Sequence, residues 1–66
     1  MASAVTFPFI PTLAIKTFGE FGPKYEVVKL LRQLADGDWM VEILLIETGE
    51  TTEYRLSHIV TDPEAL

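Results

Sequence analysis

The sequence predicts a mainly β fold, a small antiparallel meander or an SH3-like half-open barrel with a short C-terminal helical turn. Three observations carry this expectation. Two turn dipeptides, Asp36-Gly37 and Thr48-Gly49, are flanked by runs rich in β-branched, aromatic and leucine residues. The run between them alternates, with Trp39, Val41, Ile43 and Leu45 on one side and Met40, Glu42 and Leu44 on the other. Finally, 66 residues suffice for one domain only, with a thin core.

Residues 1–12 read as an irregular N-terminal arm, because Pro8 and Pro11 cannot donate to a ladder and restrict the residues before them. Val5, Phe7, Phe9 and Ile10 make it too apolar to float free, so part of it is expected to fold back on the body. Residues 13–66 form the single β domain. Its first strand is expected at Leu13–Phe18. The stretch Phe18-Gly19-Glu20-Phe21-Gly22-Pro23 then reads as a turn, with Phe18 and Phe21 plugging the core edge. Gly19 and Gly22 do not make a phosphate loop, since no Gly-Lys-Ser/Thr and no third glycine follow.

Lys24–Ala35 admits two readings. Val27, Leu30, Leu31 and Leu34 have helical spacing, with Pro23 before them and Gly37 after. That reading gives the alternative fold, α+β with a helix at 24–35 on a three-stranded sheet. As a strand turned at Asp36-Gly37, the segment instead sets Leu34 opposite Trp39, Leu30 opposite Ile43 and Val28 opposite Leu45. This apolar face favours the strand, although it puts Arg32 opposite Val41.

The second hairpin, Asp38–Glu47 with Glu50–Ser57, is expected to turn on a two-residue Thr48-Gly49 loop. That register pairs Leu45 with Thr52, Ile43 with Tyr54 and Val41 with Leu56 on one face. Ile46/Thr51, Leu44/Glu53 and an opposite-charge Glu42/Arg55 pair fall on the other. Asp62 before Pro63 predicts the helical turn near the C-terminus.

Composition narrows the function. The formal net charge of −5 repels phosphate backbones and anionic membranes and favours basic protein partners. The five cations, Lys16, Lys24, Lys29, Arg32 and Arg55, are scattered, so nucleic-acid binding is disfavoured even though Trp39, Tyr25 and Tyr54 are stacking candidates. No cysteine is present, which removes disulfides and thiolate metal sites. With disulfides gone and a structural metal poorly supplied with ligands, a homodimer or another protein partner is the remaining support for so small a core. The N-terminus has no basic region ahead of its proline-broken apolar run, and no span of about 18 apolar residues occurs. A cytoplasmic, membrane-free protein is expected.

The candidates for chemistry are weak. Ser57, His58 and Asp62 hold the residue types of a hydrolytic triad, but adjacent side chains point apart and nothing supplies an oxyanion hole. Asp36-Gly37-Asp38 lacks the later oxygen ligands of a calcium loop. No catalytic, cofactor or metal residue is assigned, and an enzyme is not expected. The informative feature is the second face of the central strand. Met40, Leu44 and Ile46 line it beside Glu42 and Arg55, where a solvated antiparallel sheet should be polar. These five residues are the candidate partner face, with Val27 and Leu31 expected beside them. The arm folding back, barrel closure, a second copy or another protein are the candidate covers.

The strings Phe18-Gly19-Glu20-Phe21-Gly22-Pro23-Lys24-Tyr25-Glu26-Val27, Asp36-Gly37-Asp38-Trp39-Met40-Val41-Glu42-Ile43, Glu47-Thr48-Gly49-Glu50 and Glu53-Tyr54-Arg55-Leu56-Ser57 resemble a family of small uncharacterised bacterial proteins, a domain of unknown function. The resemblance covers roughly residues 14–64. It implies a bacterial cytosolic protein and favours the strand reading of Lys24–Leu34. It transfers no functional residue. The expected role is a non-catalytic protein–protein interaction module. The alternatives are an acidic antitoxin or inhibitor-like protein and a small-barrel nucleic-acid binder.

Overall fold

A computed structural model describes residues 7–65, so residues 1–6 of the expected arm, Val5 among them, and Leu66 lie outside the described residues. The chain forms β1 (Ile15–Thr17), β2 (Lys24–Gln33), β3 (Trp39–Leu45), β4 (Thr51–Arg55) and α1 (Leu56–Ile59). The strands make one antiparallel sheet in the order β1-β2-β3-β4. This is the expected meander, and it is open. β1 and β4 are its outer strands, and the barrel does not close. β1 has only 3 residues, and its outer edge is already taken. There Thr17 N–H donates to the Pro63 carbonyl (3.1 Å) and Ala65 N–H to that of Ile15 (2.8 Å).

Lys24–Gln33 is a strand, so the helix alternative fails. Tyr25 and Val27 are completely buried at a spacing of two, whereas Leu30, Leu31 and Leu34, the core of a helical reading, are only half-buried. The hairpin register differs from expectation. Its loop has a third residue: Gly37 N–H reaches the Leu34 carbonyl (3.0 Å), Leu34 N–H reaches that of Asp38 (2.7 Å), and Gly37 takes φ 92°. That is a type I turn closed by a left-handed glycine. Two bulges follow, leaving Val28 and Leu31 without cross-strand partners. Consequently Tyr25 faces Leu45, Val27 faces Ile43, Leu30 faces Val41 and Gln33 faces Trp39. The expected Leu34/Trp39, Leu30/Ile43 and Val28/Leu45 pairs do not form. The bulges also remove the defect of the simple ladder, because Arg32 now lies opposite Met40 on the outer face.

The second hairpin is likewise corrected. Gly49 N–H and Glu50 O close a four-residue loop on Leu45 (both 2.8 Å). A two-residue type I′ turn would need positive φ at β-branched Thr48, while the longer loop needs it only at Gly49, which has φ 76°. Val41 therefore faces Tyr54, Ile43 faces Thr52 and Leu44 faces Thr51. Against the expected register this is a slip of two, and an even slip leaves every side chain on its face.

The core lies on one side of the sheet. Tyr25, Val27, Val41, Ile43, Leu56 and Ile59 are buried there, with Ile10, Phe18, Leu30, Trp39, Leu45 and Tyr54 packed around them. The helical turn comes earlier than Asp62-Pro63 predicted. It follows β4 directly and lies beneath β3 and β4, with Leu56 and Ile59 turned inward three residues apart. Pro63 instead continues the tail to β1. The arm also folds to this side: the Phe7 ring meets Trp39 at 5.5 Å and Ile10 joins the core. Before β1, the turn Pro11–Ala14 holds Leu13 at φ 71°.

Candidate functional site

Each layer that covers the sheet, namely α1, the described part of the arm, Phe18 and the tail, is on the core side. The other face is open among the described residues. The cross-strand pairs arrange it in rows: Glu26, Leu44 and Thr51; Lys29, Glu42 and Glu53; Arg32, Met40 and Arg55. The five candidate residues are thus brought together. Met40, Glu42 and Leu44 run along β3, Arg55 stands beside Met40, and Ile46 continues the apolar file past the strand end, 44% exposed. Val27 does not join them, because the first bulge follows it and leaves it in the core.

The electrostatics of this face differ from expectation. Glu42 does not pair with Arg55, since the two-residue slip puts Glu53 opposite it, with Lys29 on its other flank. Arg32 on β2 reaches Glu53 on β4 at 2.8 Å. The two strands that flank β3 stand about 10 Å apart, so this bridge spans β3. It holds the Glu53 carboxyl below its usual range and the Arg32 guanidinium above its own. Sequence reasoning missed the bridge because only the corrected registers bring its partners within reach. Arg55 donates to Asp36 (2.7 Å) and Asp38 (3.4 Å) of the first hairpin loop.

Asp38 is a structural hub. It accepts from the Ser57 hydroxyl (2.6 Å), the Ser57 N–H (3.2 Å) and the Trp39 N–H (2.8 Å). It thereby caps α1 from another part of the chain. These bonds, the Ser57 hydroxyl first, bring its carboxyl down to about 2. Because the folded value lies below the ordinary one, this stabilisation is present above about pH 4 and is lost as pH falls toward 2. Asp38→Asn is expected to lower stability at neutral pH and to shrink that acid-side loss, as read by urea unfolding between pH 2 and pH 6.

The triad residues do not converge. Ser57 bonds Asp38, the His58 ring lies 5.5 Å from that of Tyr54, and Asp62 serves two tyrosines. The Asp62 carboxylate accepts from the hydroxyls of Tyr25 (2.7 Å) and Tyr54 (3.0 Å) and from the Gly19 N–H (3.2 Å). Beside it, Lys16 is 7% exposed and donates its ammonium to the carbonyls of Ile59 and Asp62. Burial and the Asp62 bond push the Tyr25 hydroxyl up strongly and that of Tyr54 to about 12. This network ties β1, β2, β4 and the tail together under the sheet. It is a clamp, and its hydroxyls are committed. Trp39, Tyr25 and Tyr54, the stacking candidates, all pack on the core side.

No helix among the described residues is long and apolar enough to cross a membrane. Among those residues no group of three or more His, Asp or Glu side chains is placed to hold a metal ion. The model of a protein family described as a family of unknown function, DUF5397, matches residues 3–66. An uncharacterized protein of Haemophilus influenzae is 52% identical over 56 residues, which covers 85% of this chain and 89% of that protein.

Proposed function

The chain belongs to the DUF5397 family of unknown function, and for this member we propose a non-catalytic protein-binding role in a bacterial cytoplasm, exercised through the open face of the sheet. The observation that carries this reading is the apolar file Met40, Leu44 and Ile46 along the one sheet face that no described segment covers. A sheet face built for water alone would alternate to polar side chains there. Around the file stand charged groups of both signs, the apolar centre and polar rim of a protein interface.

The favoured occupant is a basic protein. At −5 the chain attracts positive surfaces and steers them inward, whereas a second copy brings the same negative charge. An acidic antitoxin or inhibitor of a basic enzyme is the specific form of this role. Nucleic acid fits less well, because the net charge opposes it and the three stacking candidates lie on the core side.

Immobilised protein and its Leu44→Asp and Ile46→Asp variants, exposed to a bacterial lysate, test the reading. A retained protein is expected to bind both variants at least ten-fold more weakly, while their unfolding midpoints stay near the parent value. Unchanged affinity in both would refute it. Light scattering covers the second-copy case, where a dimer lost in these variants would give the face to self-association.

A further inference from the structure

We propose that the outer edge of β4 is a strand-addition site, which takes an extended, basic segment of a partner protein alongside Thr51–Arg55. The inference rests on the protein-binding reading and assigns part of that contact to backbone hydrogen bonds. The ladder defines which groups are free. Leu45 N–H bonds Glu50 O (2.8 Å), and antiparallel bonding alternates from there. Thr52 and Tyr54 therefore bond inward to β3, while Thr51 and Glu53 turn N–H and C=O outward and Arg55 its N–H, the Arg55 carbonyl being taken by the first turn of α1. No described strand pairs with this edge of β4.

The chain treats its other edge differently. The outward groups of β1 are consumed by the tail, through Thr17 to Pro63 and Ala65 to Ile15. The part of β2 that extends past β1 is broken by bulges at Val28 and Leu31, a common way of blunting an edge. The β4 edge is regular, and it stands next to the open face. Its outer-face side chains, Thr51, Glu53 and Arg55, belong to the rows that hold Leu44, Glu42 and Met40.

Charge selects the occupant. Glu47 and Glu50 lie in and beside the loop that enters β4, and Glu42 lies directly across from Glu53. Of the cations on this face, Arg32 is engaged with Glu53 and Arg55 with Asp36 and Asp38, while Lys29 stands on β2, on the far side of Glu42 from β4. An arriving strand with lysine or arginine at alternate positions offsets this acidic row. A second copy does not, since the fullest antiparallel overlap of β4 with itself sets Glu53 against Glu53, and like charges directly opposed destabilise a sheet.

The probe is a capped eight-residue peptide of alternating lysine and valine, with a glutamate–valine peptide as control, titrated into the full chain and followed by amide NMR and hydrogen exchange. The lysine peptide is expected to slow exchange at Thr51, Glu53 and Arg55 at least ten-fold, to leave Thr52 and Tyr54 unchanged, and to weaken with salt. Thr51→Pro deletes only an outward N–H at a strand start, where proline is tolerated, and is expected to abolish that protection. Should that variant fold poorly, the Glu47→Lys/Glu50→Lys variant, which touches no inward ladder bond of β4, is expected to weaken binding at least ten-fold. Equal binding of the glutamate peptide, no binding at millimolar lysine peptide, or protection of the same amides by self-association alone would overturn the proposal. A peptide that perturbs Met40, Leu44 and Ile46 while the edge amides exchange freely would overturn strand addition and leave the open-face reading standing.

Discussion

Gly22→Ala is expected to destabilise the protein by about 3 kcal/mol or more, through overpacking against a part of the chain that cannot yield. A Cβ at this position would sit 2.0 Å from the Phe18 carbonyl oxygen and 2.9 Å from its carbonyl carbon. Both are backbone atoms, so no rotamer change relieves the contact. Phe18 cannot retreat either. Its N–H bonds Pro23 O (3.1 Å), and its ring lies 4.6 Å from Tyr25 and 5.0 Å from Tyr54. Relief requires opening the β1–β2 turn or pulling Phe18 from the core. For a domain of this size each kcal/mol lowers the unfolding midpoint by about 4–8 °C, so the loss should be plain in a thermal melt. Gly19→Ala is the control. Its Cβ would meet nothing within 4 Å, and only the left-handed φ of 69° opposes it. That costs about 1 kcal/mol.

Asp62→Ala is expected to cost about 3 kcal/mol and to loosen the joint between tail and sheet. A hydrogen bond to a charged group contributes about 1.5–3 kcal/mol, and a buried donor left without an acceptor carries its full desolvation penalty. Tyr25 is completely buried, so its hydroxyl has no water to turn to. Tyr25→Phe removes one donor and leaves Asp62 with Tyr54 and Gly19, so a loss of about 1–2 kcal/mol is expected. The same site governs behaviour in base. Both phenols are raised above their ordinary value of 10.0, Tyr54 to about 12. Their contribution is therefore complete below pH 10 and declines as pH rises through the folded values. Urea unfolding of the parent and both variants from pH 7 to pH 11.5 checks the size and the sign. A shallower alkaline decline is expected in Tyr25→Phe, which has one phenol fewer.

Much of this architecture was legible in the residues. Asp36-Gly37 and Thr48-Gly49 located both hairpins, and the alternation of Trp39–Leu45 assigned each β3 side chain to its face. Face assignment survived a register error because the β3–β4 slip is even. It failed on β2, where two bulges each insert one residue and reverse the alternation. The signal was present in Arg32, which a simple ladder forced against Val41. A conflict of that kind is relieved by a bulge, as Arg32 opposite Met40 shows. Lys16 left no such trace, since Ile-Lys-Thr at a strand edge reads as solvent-facing. Its burial depends on α1 and the tail, whose Ile59 and Asp62 carbonyls lie 43 and 46 residues away in sequence. Asp62 read as a helix cap for the same reason. Local chemistry suggested one use for its carboxylate, and the distant tyrosines supplied another.

The arm also fell on the other side from one of its candidate placements. Because Phe7 and Ile10 go to the core face, the described part of the arm leaves the file uncovered, with Met40 and Leu44 half-buried among their neighbours and Ile46 exposed. Phe7, Phe9, Leu13, Phe21 and Val60 are exposed elsewhere, from 61% to 96%, and are the competing apolar groups.

Methyl cross-saturation NMR separates the two surfaces directly. The deuterated chain, protonated only at Met, Leu, Ile and Val methyls, is bound to the protein it retains, and that partner is irradiated. Saturation is predicted at Met40, Leu44 and Ile46. Saturation at Leu13 and Val60, with those three silent, would contradict the account.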